Sequence, residues 1–118
     1  MNRRRLGASY EEAAARYLIN QKVRILERNY RTSRGEIDII AQDEELLIFV
    51  EVKYRRNADY GYPWEAVSFA KQKKICQAAR QYCSARKLSG QVRYDVISIC
   101  GQEIEWYKNA FDHIDYLV

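Results

Sequence analysis

The amino-acid sequence predicts an α/β fold in which helices flank a mixed central sheet. Two segments have the apolar spacing of amphipathic helices, and five short segments are rich in β-branched and apolar residues. They follow one another in the order α-β-β-β-α-β-β, which is typical of an α/β architecture. A chain of 118 residues suits one hydrophobic core, so we expect a single domain over residues 1–118.

Two helices are predicted. The first covers residues 9–20, because Ser9 and Glu12 have the form of a capping box and an alanine-rich stretch follows them. The second covers residues 67–87 and has an apolar stripe that we expect to be buried. That stripe consists of Ile75, Ala78, Ala79 and Tyr82.

The five strands are predicted from alternation and from short apolar runs. They cover residues 23–30, 36–41, 46–54, 92–99 and 103–107. A polar link at residues 42–45 separates the second strand from the third, and it predicts a hairpin between them.

Composition argues against several classes of protein. No apolar run approaches the roughly 20 residues that cross a bilayer, and the basic N-terminus lacks the apolar stretch of a signal peptide. We therefore expect a cytoplasmic protein that does not bind membranes. One histidine and three cysteines without C-x-x-C spacing argue against a structural zinc site. The net charge of +4 is compatible with a polyanionic partner, although many basic proteins share it.

The predicted hairpin carries charged residues where strands are usually apolar. Asp38 lies inside the second strand, and Glu51 lies inside the third. Because side chains alternate along a strand, Glu51 and Lys53 share one face. A turn at the polar link sets Asp38 opposite residues 49–51. We therefore expect two carboxylates and one ammonium on one patch of the sheet.

This group of charges suits phosphodiester hydrolysis without histidine. Carboxylate oxygens and a backbone carbonyl are the ligands that Mg²⁺ prefers, and a bound metal lowers the pKa of water. A neighbouring lysine orients or deprotonates that water, or stabilises charge on a phosphate. The spacing alone is also compatible with a structural ion pair of Glu51 and Lys53, with Asp38 facing water.

Several longer stretches are more specific than this spacing. They are Glu11 with Ala14, Ala15, Tyr17 and Leu18; Ile25-Leu26; Asn29-Tyr30-Arg31; Arg34 to Ala41; Phe49 to Arg55; Lys71-Gln72; Arg93 to Val96; and Ala110-Phe111. Together they resemble the YraN family of predicted bacterial endonucleases, which is distantly similar to archaeal Holliday-junction resolvases. Asp38 followed by Glu51-Val52-Lys53 also resembles the D…(D/E)-x-K signature of the restriction-endonuclease-like superfamily.

The resemblance implies a restriction-endonuclease-like fold and a metal-dependent nuclease. Asp38 and Glu51 match the metal-binding acids, and Lys53 matches the lysine of the signature. Glu11 matches a helical glutamate that completes the metal site, and the carbonyl of Val52 matches a backbone ligand. The implied cofactor is Mg²⁺, with Mn²⁺ as a substitute.

Two positions depart from the pattern of the family. Ile37 stands where the superfamily signature often has proline, and Tyr10 stands where the family usually has glycine. Glu11 also has a structural explanation, as a favourable charge in the first turn of a helix. Glu36 shares the face of Asp38 by strand alternation, but it stands at the entrance of the strand.

The expected partner is DNA, contacted by polar side chains at strand ends and at the start of the second helix. These candidates are Arg31, Arg34, Arg55, Arg56, Lys71 and Gln72. Aromatic residues in or near the loop after the third strand either stack on splayed bases or pack in a core or dimer. They are Tyr54, Tyr60, Tyr62 and Trp64.

Two functions from different classes therefore remain. The first is a metal-dependent DNA endonuclease that acts on branched or flapped DNA. The second is a non-catalytic nucleic-acid-binding or scaffolding domain that retains the nuclease fold. The set of two acids and one lysine favours the enzyme, and the sequence leaves open whether the protein forms a homodimer.

Overall fold

Five strands form one mixed sheet between two helices in the computed structural model, which describes residues 3–56 and 67–114. The elements are α1 (Arg3–Asn20), β1 (Arg24–Arg31), β2 (Glu36–Asp43), β3 (Leu46–Tyr54), α2 (Phe69–Ala85), β4 (Val92–Cys100) and β5 (Glu103–Phe111). The predicted order α-β-β-β-α-β-β and the mixed central sheet are therefore confirmed.

The strands lie in the order β1-β2-β3-β4-β5. The pairs β1–β2, β2–β3 and β4–β5 are antiparallel, and β3–β4 is parallel. A parallel pair needs a crossover connection, and α2 lies in the connection between these two strands. The candidate acids on β2 and β3 therefore lie in the interior of the sheet, next to its one parallel junction among the described strands.

Each face of the sheet carries its own apolar core, and the strands alternate between the two. Phe49 packs in the core beneath α2, whereas its neighbours Ile48 and Val50 pack in the core beneath α1. The predicted stripe of α2 is buried, as expected. The α2-side core includes Ile37, Ile40, Phe49, Ile75, Tyr82, Tyr94 and Val96. The α1-side core includes Ala14, Leu18, Ile39, Ile48, Val50, Ile97 and Ile99.

The first helix begins earlier than predicted. It starts at Arg3, so Ser9 lies inside the helix and the capping box predicted for it is wrong. Glu11 consequently lies beyond the first turn, and a favourable charge at the helix start does not explain it. Glu12 instead forms ion pairs with Arg16 at 3.1 Å and with Arg28 at 2.7 Å.

The second helix is capped by a serine that the sequence prediction placed inside it. Ser68 has extended backbone angles, and its hydroxyl accepts a hydrogen bond from the Lys71 amide at 3.1 Å. This bond satisfies one of the amides that a helix start leaves without a partner. In the described part of the chain, neither helix has the length and apolar character of a membrane-spanning segment.

Strand β2 separates from β3 at the candidate site. The pairs between these strands run from Asp43–Leu46 to Ile39–Val50. Asp38 precedes Ile39 in the chain and so lies one residue beyond the last pair. Alternation is interrupted at the same place, because Ile37 packs on the α2 side and Ile39 packs on the α1 side. Asp38 therefore lies at an opening of the sheet, where its side chain contacts β3 and approaches Glu11 of α1.

The turn between β1 and β2 packs tightly against α2. The amides of Arg34 and Gly35 both donate to the hydroxyl of Thr32, each at 3.0 Å. A methyl group added at Gly35 would overlap the carbonyl group of Lys74, approaching its carbon to 2.9 Å. Because the obstacle is the backbone of a helix, it has little room to move.

We predict that Gly35→Ala lowers the free energy of unfolding by about 1–3 kcal/mol, the usual cost of overpacking. Urea denaturation measures the change, and Ser33→Ala in the same exposed turn is the matched control. Equal stability of Gly35→Ala and Ser33→Ala would show that the turn and helix α2 move apart without cost.

Candidate metal centre

Three carboxylates, one from α1 and two from β2, meet at the opening between β2 and β3. Glu11 comes from α1, Glu36 from the start of β2, and Asp38 from the point where β2 leaves β3. One oxygen from each lies within 4.8 Å of the others. Glu51 lies outside this trio, but its side chain contacts that of Asp38. Asp38 is therefore the residue that links the trio to Glu51.

The carboxylate of Asp38 is oriented by the neighbouring strand. Its Oδ2 atom accepts a hydrogen bond from the amide of Val52 at 2.8 Å. The amide of Val52 therefore holds Asp38 in place. Binding of a metal by the carbonyl of Val52 stays a prediction. Because the bond fixes the acid to β3, Asp38 is held beside Glu51.

Glu51 is a buried carboxylate with an incomplete set of partners. Its side chain is 6% exposed, and its buried Oε2 atom makes no hydrogen bond. Lys71 approaches that oxygen with its ammonium at 3.4 Å. Burial, followed by the contact with Asp38, raises the pKa of Glu51 to about 8 against the opposing charges of Lys71 and Lys53. A buried oxygen without a hydrogen bond lowers the stability of the folded protein, so the position of Glu51 is energetically unfavourable.

Glu11 is also held in a partly buried position. Burial is the main cause that raises the pKa of Glu11, and the nearby charge of Asp38 adds to it. The side chain of Asn29 opposes this rise by hydrogen bonding to Glu11. Asn29 lies on β1 with a φ of 52°, a left-handed conformation that asparagine tolerates better than most residues. Sequence analysis did not assign Asn29 to the site.

Two lysines approach the acids. Lys53 follows Glu51 by two residues on β3, and its charge favours the ionised form of that acid. The ammonium of Lys71 pairs with Glu51, and contact of Lys71 with nucleic acid stays a prediction. It comes from the first turn of α2 and reaches the sheet across the α2-side face.

The remaining residues predicted to contact nucleic acid lie in different settings. Arg31 pairs with Glu36 at 3.6 Å and so borders the trio of acids. Arg34 is exposed and lines a groove of about 650 Å³ beside α2. Arg56 is exposed just after β3, and the Arg55 amide continues the sheet by donating to the carbonyl of Ile99.

Gln72 differs from these residues, because the amide of its side chain donates to the carbonyl of Val67 at 3.0 Å and supports the start of α2. Three of the predicted aromatic residues, Tyr60, Tyr62 and Trp64, lie outside the described residues.

A second buried acid shows what full compensation looks like in the same sheet. Asp95 is 0% exposed, and Arg93 donates to both of its oxygens, at 2.8 and 2.7 Å. The indole of Trp106 and the amide of Asn109 donate to it as well, both at 2.9 Å. Asn109 lies in a bulge of β5 with a φ of 56°. Asp95 therefore has a complete set of donors, which Glu51 lacks.

The donor set at the sheet opening fits a hard divalent cation. Ligand oxygens on opposite sides of one Mg²⁺ are about 4.2 Å apart, so separations within 4.8 Å need only a small adjustment. Glu51 adds a buried oxygen without a hydrogen bond. The oxygens that would hold the cation come from Asp38 and Glu51, with Glu11 and Glu36 on the α1 side.

Comparison with known proteins places the chain in a family. A sequence model of the uncharacterised protein family UPF0102 matches residues 10–99. The chain belongs to the UPF0102 family. UPF0102 is the YraN family, so the resemblance indicated by the sequence motifs is confirmed. The family description names no activity.

Individual UPF0102 proteins are similar over almost the whole chain. The relative from Lachnoclostridium phytofermentans is 45% identical over 114 residues, which cover 95% of this chain and 97% of the relative. The relative from Syntrophotalea carbinolica is 47% identical over 112 residues, or 91% of each chain. That from Clostridioides difficile is 45% identical over 114 residues, covering 94% of this chain and 100% of the relative.

The buried acid of this UPF0102 protein makes its stability depend on pH. In the absence of metal, Glu51 keeps its proton in the folded state up to a pH of about 8, whereas the unfolded chain loses it near 4.5. Between these values the folded state binds more protons, so the free energy of unfolding falls as the pH rises. We predict that Glu51→Gln removes about 1–4 kcal/mol of this decline, since one pKa unit corresponds to about 1.4 kcal/mol.

Urea denaturation in a chelating buffer at several pH values between about 4.5 and about 8 measures this slope. Glu45→Gln, in the exposed turn between β2 and β3, is the control and should retain the slope of the wild type. Identical slopes for Glu51→Gln and the wild type would contradict the assignment.

Proposed function

We propose that this protein is a metal-dependent DNA endonuclease that hydrolyses phosphodiester bonds in branched or flapped DNA. The observation that carries the proposal is the buried Oε2 atom of Glu51, which pairs with the ammonium of Lys71 but makes no hydrogen bond and lies beside Asp38. An acid kept only for stability would be expected to have a complete set of donors, as Asp95 has. A metal ligand needs an oxygen that the protein itself does not satisfy.

The proposed roles follow from the positions of the side chains. Asp38 and Glu51 bind Mg²⁺, or Mn²⁺ in its place, with Glu11 as a further ligand. When bound, the metal provides a Lewis acid for the phosphate and activates water at neutral pH. Lys53 holds its ammonium close to Glu51, where it donates hydrogen bonds to the attacking water or to the phosphate oxygens.

The proposed substrate is consistent with the charges around the site. The protein has a net charge of +4, and exposed Arg34 and Arg56 lie at the ends of β-strands that carry the acids. Cationic side chains at such positions bind phosphates and fix the register of a nucleic acid. The Arg31–Glu36 pair adds a third guanidinium at the border of the acids.

The first prediction from this proposal separates metal binding from chemistry. Asp38→Asn should abolish Mn²⁺ binding, because a neutral amide is a poorer ligand for a hard cation. Lys53→Ala should retain Mn²⁺ binding, since an ammonium has no lone pair to offer. It should still lower the single-turnover cleavage rate about 100-fold or more, the usual scale for a group that transfers a proton or stabilises charge.

Calorimetric Mn²⁺ titration and Mg²⁺-dependent cleavage of branched DNA measure the two effects on the same preparations. Glu45→Gln removes a carboxylate from the far end of the same hairpin and should leave both unchanged. If the wild type binds no metal and cleaves no substrate, the nuclease proposal is wrong. DNA binding without cleavage would then favour the non-catalytic nucleic-acid-binding or scaffolding domain.

The second prediction concerns the affinity for DNA and its dependence on salt. Affinity should fall steeply as salt rises, because phosphate contacts release counterions. Arg34→Ala should weaken binding to all sequences and reduce the slope of log affinity against log salt by about 1. Fluorescence anisotropy at several salt concentrations tests this. Arg24→Ala, at the opposite end of β1, is the control, and equal slopes for the two variants would exclude Arg34 from the interface.

A further inference from the structure

An exposed aromatic ring lies at the end of the strand that carries Glu51, and a second ring supports it from below. Tyr54 is 42% exposed at the end of β3. Its ring stacks on that of Tyr10, with centroids 4.2 Å apart and an interplanar angle of 14°. Tyr10 in turn packs against the α1-side core. The exposed ring is therefore held in a fixed orientation by the core beneath it.

The position of this pair connects it to the candidate site along both elements. Tyr54 directly follows Lys53, and Tyr10 directly precedes Glu11. Alternation along β3 places Tyr54 on the same side as Val52, which is the α1 side and hence the side of Glu11. About 10 Å of strand separates Tyr54 from Glu51. A nucleotide next to a phosphate held at the acids can reach the ring across this distance.

Other exposed apolar residues in the described part of the chain have different settings. The ring of Phe69 is covered by the ammonium of Lys73, 4.8 Å from its centroid. Ile19 lies in the last turn of α1, and Leu88 follows the end of α2. Tyr54 is distinguished by a stacked support, by its place on the strand of Glu51, and by the exposed cation Arg56 two residues later.

We propose that Tyr54, supported by Tyr10, is a stacking platform for one unpaired nucleobase next to the phosphate that is cut. The proposal rests on the nuclease function for the position of the cut phosphate, whereas the binding of the base does not depend on that function. In the interior of a paired duplex both faces of each base are covered by neighbouring bases, so an unpaired base stacks on a protein ring without the cost of unstacking the duplex. Aromatic side chains hold such bases irrespective of sequence, because every base has a π-face.

The chemical class of the substrate follows from this arrangement. A nucleic acid with an unpaired nucleotide at the site of cleavage, such as a flap or a single strand beside a junction, offers both a base for Tyr54 and a phosphate for the acids. The guanidinium of Arg56 is complementary to the charge of the adjoining phosphate. A fully paired linear duplex offers the phosphate alone and should bind less tightly.

The experiment measures stacking without requiring cleavage. The wild-type protein is mixed, in a buffer without divalent ions, with a single-stranded oligonucleotide that contains one 2-aminopurine. We expect binding to quench the fluorescence of 2-aminopurine, because this base loses fluorescence when it stacks. Tyr54→Leu retains apolar packing on Tyr10 but lacks the π-face, and it should lose the quenching and about 5- to 100-fold in affinity for the single strand. Tyr54→Trp should restore both.

The controls separate stacking from folding and from general DNA binding. A duplex of the same sequence should bind Tyr54→Leu and the wild type equally. Tyr17→Leu removes another aromatic contact of α1, the edge contact with Trp106, and should leave the quenching intact. Equal losses for single strand and duplex, or the same loss with Tyr17→Leu, would overturn the platform.

Cleavage assays with Mg²⁺ distinguish this inference from the nuclease proposal. If the wild type cuts flapped and fully paired DNA equally and Tyr54→Leu changes neither rate, the platform is wrong and the nuclease stands. If nothing is cut but Tyr54→Leu still loses single-strand affinity alone, the base-binding site stands and the nuclease is wrong.

Discussion

The site depends on one hydrogen bond, from the amide of Val52 to the side chain of Asp38, 2.8 Å long. The ladder between β2 and β3 ends at Ile39–Val50, so the next inward-facing amide of β3 would lose its partner. The carboxylate of Asp38 takes the place of the missing backbone acceptor. One bond therefore completes the edge of the opening and fixes an acid in it. Glu11 and Glu51 both interact with Asp38, so their positions relative to each other follow from this anchor.

Much of this arrangement could be predicted from the sequence, because the hairpin is local. The polar link sets the register, and the register brings Asp38 level with Glu51; β3 has the bounds that its apolar run indicated. Contacts between distant elements could not be derived in this way. Lys71 reaches Glu51 only because the crossover places the first turn of α2 over β3, and Asn29 reaches Glu11 through a left-handed residue that strand alternation does not predict.

The two buried acids, Asp95 and Glu51, differ in how completely the protein satisfies their oxygens with hydrogen bonds. Asp95 receives bonds from a guanidinium, an indole and an amide, and its burial is offset within the fold. The Oε2 atom of Glu51 has the ammonium of Lys71 at 3.4 Å but makes no hydrogen bond. Burying it in this state lowers the stability of the fold. The apolar cores on both faces of the sheet supply the stability against which this cost is set.

The irregular outer strands affect what the borders of the described sheet offer to other chains. These are β1 and β5, the outermost of the described strands, which carry Asn29 and Asn109 in left-handed conformations. Each strand also has a register shift in its pairing with its neighbour. Irregular, charged outer strands are poor templates for the addition of a foreign strand, which is how many sheet proteins resist aggregation. The irregular pairing of both outermost described strands therefore makes this open sheet less able to grow by edge-to-edge association.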